Sequence, residues 1–207
     1  MTTQINFLLA GVGGQGTILA SDVLVNVGLE AGFQSKQAEV HGMSQRGGSV
    51  TSHVRWGEVI FSPIIGAGEV DVLLAFEKLE ALRNIRMMRL GGTALVNMQA
   101  IEPLNVISGE QTYPSDEVLK KVFTNNTSHV DYINGEQIAG RLGNLKVANV
   151  VLLGALSALL EIGEQVPAQL TPETWLKVIM QRVPAKHVDL NRRAFLAGRD
   201  EVRKNMD

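Results

Sequence analysis

The chain has 207 residues, 45% of them hydrophobic and 19% charged, with a formal net charge of −2 and a pI near 6.1. That suits a single domain with a full core, and the charge balance argues against nucleic acid as a partner. Cysteine is absent, which excludes disulfides, thiolate-held iron–sulfur clusters and cysteine catalysis within this chain.

Residues 4–10 read as a buried strand that runs straight into the glycines of "GVGGQG". In "TILASDVLVNVGLEAG" the residues Ile18, Leu19, Val23, Val27 and Leu29 fall close to a helical period, with Gly32 as the stop. Strand, tight turn and helix form the first half of a βαβ unit. "FQSKQAEV" reads as a more polar strand at a sheet edge, and "HGMSQRGGS" as a loop. "VTSHVRWGEVIFSP" alternates on both sides of Gly57-Glu58, which predicts a type II′ hairpin and a mixed sheet.

"VDVLLAF" is a buried strand, and "EKLEALRNIRMMRL" a helix with Leu79, Leu82, Ile85 and Met88 inward. "GGTALVNM" gives a further strand and "PLNVI" a strand or hairpin arm. A helix follows Pro114-Ser115, with Ser115 as N-cap, and "HVDYIN" is a short strand. "NLKVANVVLLGALSALLEIG" is apolar nearly all round and reads as a buried helix, in which Gly154 and Ala155 allow close packing. Its most apolar part, Val147 to Leu160, is too short to span a bilayer. Thr171 caps a helix with Pro172 in its first turn, Pro184 ends it, and "HVDLNRRAFLAGRDEVRK" is an amphipathic helix with Val188, Phe195 and Leu196 among its apolar positions. The pattern predicts one α/β domain over 1–207: a three-layer, Rossmann-like domain with a mixed, mostly parallel sheet and a helical C-terminal part from about 135 to 207. No leader or membrane segment is read, so a soluble cytoplasmic protein is expected.

"GVGGQG" fits G-x-G-x-x-G in the right context, strand before and helix after. Gly11, Gly13, Gly14 and Gly16 permit a tight turn and close backbone approach, and the helix start offers N–H groups to an anion. A dinucleotide site also needs an acidic residue about twenty positions on, and Glu39 is the candidate. The alternative is that the glycines only allow strand–helix packing. A P-loop is excluded, because Thr17-Ile18 follows Gly16 where Lys-Ser/Thr is required. An adenylating enzyme could use such a loop, but its thiol relay and zinc site are missing. In "HGMSQRGGSV", Arg46 beside Gly47-Gly48 sets a fixed cation next to backbone free to form an anion nest, with Ser44 and Gln45 adding polar groups. It reads either as a contact with phosphate, carboxylate or an acidic partner, or as a turn whose Arg makes an ordinary salt bridge. If both strands are parallel, both loops lie on one sheet edge, where α/β ligands bind.

Other candidates have plainer readings. His41 is an orienting or solvated histidine before it is a general base, His53 belongs to a polar surface, and His129 and His187 have no partners at metal-ligand spacing. Arg83, Arg86 and Arg89 recur every three residues and read as a solvated helix face. No Ser–His–Asp set or carboxylate pair can be assigned.

Taken together, "GVGGQGTILASDVL", "AEVHGMSQRGGSVTSHVRWG", "EVDVLLAFEKLEALRN", "LGNLKVANVVLLGALSALL" and "LNRRAFLAGRD" resemble the gamma subunit, or gamma domain, of 2-oxoacid:ferredoxin oxidoreductases. The "HGMSQRGGSV" form is closest to the beta subunit of the indolepyruvate type. The resemblance covers nearly the whole chain. It implies oxidative decarboxylation of a 2-oxoacid with coenzyme A to an acyl-CoA, CO₂ and reduced ferredoxin. Thiamine diphosphate, Mg²⁺ and [4Fe–4S] clusters would sit in a large alpha-type partner subunit, since this chain has neither cysteine nor a G-D-G…N-N pattern. The chain alone would be inactive and would hold no cofactor by itself. Gly11, Gly13, Gly14, Gln15 and Gly16, with Ser44, Gln45, Arg46 and Gly47, are then expected on the edge facing the partner, holding coenzyme A phosphates or closing the substrate channel, with no catalytic residue and no metal ligand. Homodimerisation is left open. The rival readings are a free-standing NAD(P)- or flavin-binding oxidoreductase and a purely structural partner subunit.

Overall fold

The computed structural model describes residues 4–41, 48–127, 129–162 and 170–205. Strand β1 (Ile5–Val12) is buried at every position, as a strand covered on both faces must be. Helix α1 (Thr17–Glu30) follows it. Its inward stripe runs through Ala20, Val23, Leu24 and Val27, while Ile18 and Leu29 of the expected set face out. Strands β2 (Gln34–His41) and β3 (Ser49–Gly57) come next, then β4 (Val70–Ala75) and α2 (Lys78–Asn84). A 3₁₀ turn at Ile85–Met87 leads into β5 (Met88–Asn97). The chain continues through α3 (Leu104–Ile107), α4 (Asp116–Asn126), β6 (His129–Ile133) and α5 (Gly135–Arg141). A 3₁₀ turn at Leu145–Val147 precedes α6 (Ala148–Ile162). Helices α7 (Pro172–Arg182) and α8 (Val188–Lys204) complete the described chain.

The described strands form one sheet in the order β2-β3-β1-β4-β5-β6. β1, β4, β5 and β6 are parallel neighbours, and β3 is antiparallel to both β1 and β2. The sheet is thus mixed and mostly parallel. Phe7 and Leu9 of β1 enter one core with α1 and α5–α8, while Leu8 and Ala10 enter a second core with α2 and α4. Sheet and two helical layers give the three-layer α/β architecture.

Four local expectations are corrected. No hairpin forms at Gly57-Glu58: β2 and β1 already occupy both edges of β3, so residues 58–69 have no edge to pair with. They lie instead as a connection held by Arg55, whose Nη1 donates to the carbonyls of Ser62 and Ile64 at 3.2 and 3.1 Å. Residues 104–107 are a helical turn, not a strand. The helix after β4 stops at Asn84 because the chain must re-enter the sheet, where Met88 pairs with Val70. Arg83, Arg86 and Arg89 therefore fall in three different elements. Arg83 pairs with Glu80 at 2.5 Å and Arg89 with Asp71. His53 is buried, and its Nδ1 accepts from the Ile65 amide at 3.1 Å. Burial, and secondarily the Arg55 charge, hold its pKa below the usual histidine range.

The apolar run Leu145–Ile162 is longer than the sequence reading allowed, and by length and composition it could cross a membrane. It packs instead as a core helix, 72% buried. Its contact with α8 rests on two glycines. A Cβ on Gly154 would lie 2.0 Å from the Phe195 carbonyl oxygen, and one on Gly198 would lie 1.9 Å from that of Val151. The backbones touch where side chains would stand. Arg199, also buried, fixes the same pair: Nη1 donates to Ser157 Oγ at 2.8 Å and Nη2 to Glu161.

Candidate functional site

β1 and β4 lie side by side, and the chain leaves them in opposite directions, toward β2 from β1 and toward β5 from β4. Such a divergence opens a crevice at the carboxyl ends of the strands. A cleft of about 540 Å³ lies there, and Gly13, Gly14, Gln15 and Gly16 form one wall. Gly14 and Gly16 have φ of +103° and +80°, a left-handed backbone that favours glycine. Their amides have no partner among the described residues, and α1 begins at once with no side-chain cap. These donors suit an anion.

Gly11 lies within β1, outside the cleft. A Cβ there would meet Thr17 Cγ2 at 2.8 Å and Gln15 Oε1 at 2.9 Å. Its lack of a side chain serves packing. Gln15 turns its amide onto the protein: Oε1 accepts from the Val12 amide at 2.7 Å, while Nε2 donates to the Phe76 carbonyl at 2.9 Å and to Gln99 Oε1 at 2.6 Å. One side chain thereby ties the ends of β1, β4 and β5, with its aliphatic stem and backbone left to line the cleft.

Ser44, Gln45, Arg46 and Gly47 lie outside the described residues. Their described flanks can be located. β2 and β3 are antiparallel, so His41 and Ser49 are at the same sheet edge as the end of β1. The Gly13 amide donates to the Gly48 carbonyl at 3.1 Å, and Ser49 Oγ donates to Glu80 Oε2 at 2.6 Å. Glu39 sits on β2, and β3 separates that strand from β1. Two strand spacings, about 10 Å, part it from the glycine turn, so the ribose role expected of a Rossmann enzyme's acidic residue does not carry over. His129 opens β6, and His187 ends the 3₁₀ turn Ala185–His187 before α8. Among the described residues no cluster of His, Asp and Glu could hold a metal ion.

The rest of the cleft was not foreseen. Asn97, Gln99, Ile101, Glu136, Leu145, Lys146 and Asn149 line it with Phe76. Asn97 is a buried junction: Nδ2 donates to the Phe76 carbonyl at 2.9 Å and to the Glu136 carboxylate, and Oδ1 accepts from the Gly135 amide at 2.9 Å. Glu77, 1% exposed, supports the floor. It caps α2 by accepting from the Glu80 amide at 2.9 Å, and it takes the Ile101 amide at 3.0 Å and the Tyr113 hydroxyl. Burial, then the bond to Glu77, push the Tyr113 pKa far above the tyrosine range, so this hydroxyl stays protonated. A sequence signal existed. Asn97 ends a strand whose last four residues are buried and Gln99 follows it, the place where α/β ligand sites collect.

The family model described as pyruvate ferredoxin/flavodoxin oxidoreductase matches residues 6–201. The chain is 39% identical over 197 residues to indolepyruvate oxidoreductase subunit IorB of Thermococcus kodakarensis, covering 94% of each. It is 39% identical over 198 residues to the subunit of the same name from Pyrococcus horikoshii, again covering 94% of each. Among solved structures it resembles the keto/oxoacid ferredoxin oxidoreductase gamma subunit from Geobacter sulfurreducens PCA, with a TM-score of 0.69 and 26% identity over 97% of this chain and 99% of that one. With a family match over nearly its full length, relatives at this identity and the same α/β fold, the chain belongs to the pyruvate ferredoxin/flavodoxin oxidoreductase family.

Proposed function

We propose that the chain is the small subunit of a ferredoxin-dependent 2-oxoacid oxidoreductase of the indolepyruvate type, acting in the cytoplasm with a large alpha-type subunit. The complex converts an arylpyruvate and coenzyme A to an acyl-CoA and CO₂, with the two electrons passed to ferredoxin. The observation that carries this reading is the 39% identity, over 94% of both chains, to subunits named for indolepyruvate oxidoreductase. A free-standing NAD(P) enzyme is disfavoured by the separation of Glu39 from the glycine turn.

The cofactor fit supports a divided site. With no cysteine and no metal-binding cluster among its described residues, this chain does not suit iron–sulfur clusters, or Mg²⁺ with thiamine diphosphate. Those groups are assigned to the partner. The glycine edge does suit the phosphates of coenzyme A, whose thiol accepts the acyl group. Gly14 and Gly16 offer backbone donors, Lys146 offers a cation on the cleft, and Ser44, Gln45, Arg46 and Gly47 are assigned to the same task. The subunit's own task is to bind and orient coenzyme A and to close the site against water.

Co-expression with the large subunit tests this. Indolepyruvate- and coenzyme A-dependent reduction of ferredoxin is expected from the two-chain complex and from neither chain alone. Turnover by the isolated chain, or tight NADH binding to it, would overturn the reading. Within the complex, Gly14→Ala sets a methyl in open space at a left-handed residue. It is expected to raise the KM for coenzyme A about tenfold, roughly the 1–2 kcal/mol cost of that backbone, with the KM for indolepyruvate unchanged.

A further inference from the structure

At the edge where the parallel strands begin, two separate constructions turn a large apolar side chain into solvent. Phe61 is 93% exposed and Leu90 91%. Phe61 belongs to the connection from β3 to β4, which is fixed along its length. Ile60 and Ile65 anchor it in the interior. The Ile60 amide donates to Gln34 Oε1 at 2.8 Å, Arg55 holds the carbonyls of Ser62 and Ile64, and Asn6 Nδ2 donates to the Glu69 carbonyl at 2.8 Å. Leu90 stands on a bulge of β5. Val70 pairs with Met88 but Val72 with Thr93, so residues 89–92 swing out of register. Gly91, at φ +74°, gives the bulge its left-handed turn. A bulge of this kind re-aims a side chain. Neither Phe61 nor Leu90 enters a core, and exposed apolar groups gathered on one edge mark an interaction surface.

The charges on this edge indicate what covers it. The connection 58–69 carries Glu58 and Glu69 and no cation, whereas residues 86–92 carry Arg86 and Arg89 and no acid. The Gly68 amide donates to the Met87 carbonyl at 3.1 Å, so the two segments adjoin. Arg89 is held by Asp71. Glu58 and Arg86 are exposed and form no ion pair among the described residues. A partner of one sign would be repelled by one half of the edge. A second copy, turned about a two-fold axis, sets each acidic half on a basic half.

We propose that this edge is a two-fold interface between two copies of the chain. Phe61 of each copy packs beside Leu90 of the other, and Glu58 faces the other copy's Arg86. The arrangement leaves the opposite edge, with the glycine turn, to the large subunit.

The test is sedimentation velocity of the full chain, alone and with the large subunit. The wild type is expected to dimerise alone at micromolar concentration. Phe61→Ser and Leu90→Ser are each expected to raise the dimer dissociation constant about tenfold or more, the scale of truncating an interface anchor. Their far-UV circular dichroism should be unchanged, and both should keep the large subunit. Glu58→Arg and Arg86→Glu each set like charges together and are expected to weaken the dimer, and mixing these two variants should restore it as a heterodimer. A monomeric wild type, or a dimer indifferent to Phe61→Ser and Leu90→Ser, overturns the proposal. So does a charge-variant mixture that stays monomeric. If either serine variant instead loses the large subunit, that subunit covers this edge and the second copy does not.

Discussion

At residue scale, His53 shows how burial decides a histidine's role. Its Nδ1 accepts from Ile65, which requires the neutral ring. Its pKa is lowered in the fold, first by desolvation. Above the ordinary value near 6.5 both folded and unfolded chains carry it neutral. As pH falls below that value, the unfolded chain takes up the proton first, and stability drops until the folded pKa is reached. Chemical denaturation at pH 7.5 and pH 5 is expected to show a steeper loss for the wild type than for His53→Gln. Equal slopes would mean that the ring titrates freely. His53→Ala should cost about 1–3 kcal/mol at pH 7.5, because the Ile65 amide is left without a partner in the interior, and less at pH 5, where the wild type has already lost part of what the neutral ring supplies. The sequence could not give this role. β3 alternates as a strand with one wet face, and only the fold of residues 58–69 across that face dries it.

At element scale, the α6–α8 contact depends on Gly154 and Gly198, each against the other helix's backbone. Either position changed to Ala must push the helices apart, an overpacking cost of about 3 kcal/mol or more. Calorimetry of Gly154→Ala and Gly198→Ala is expected to show a marked fall in Tm for both. A double variant costing little more than either single would show that one displacement accommodates both methyls. The sequence did expose the buried helix and the small residues in it, because an all-apolar period has few other uses. It also exposed the glycine turn, since a strand running into G-x-G-x-x-G is local information. The polar half of the cleft was hidden. Asn97, Gln99, Glu136 and Lys146 come from three separate segments, and only the sheet order and the return of α6 beneath it bring them together. The false hairpin at Gly57-Glu58 has the same origin. Gly57 continues β3 with no left-handed turn, and β3 had already filled both its edges.

At the scale of the whole molecule, the carboxyl edge of the sheet combines the cleft with exposed apolar side chains: Ile18 at the start of α1, Leu104 and Ile107 on α3 beyond β5, and Leu145 on the cleft. A functional rim of this composition fits burial against the proposed large subunit. Hydrogen exchange of the complex against the isolated chain is expected to show new protection at residues 13–18, 99–108 and 144–149. The opposite sheet edge, with Phe61 and Leu90 exposed, should change less. Protection confined to that opposite edge would place the partner on the wrong end of the sheet.

Gln15 gives this architecture a chemical clock. Its amide is a single fastener across three strands, and glutamine is among the thermolabile side chains. Hydrolysis to a carboxylate would leave the Val12 contact intact but turn oxygen against oxygen at Phe76 and Gln99. Ageing of one side chain would then unlatch the mouth of the cleft while the cores beneath it stay packed, and old protein would lose the proposed coenzyme site before it lost its shape.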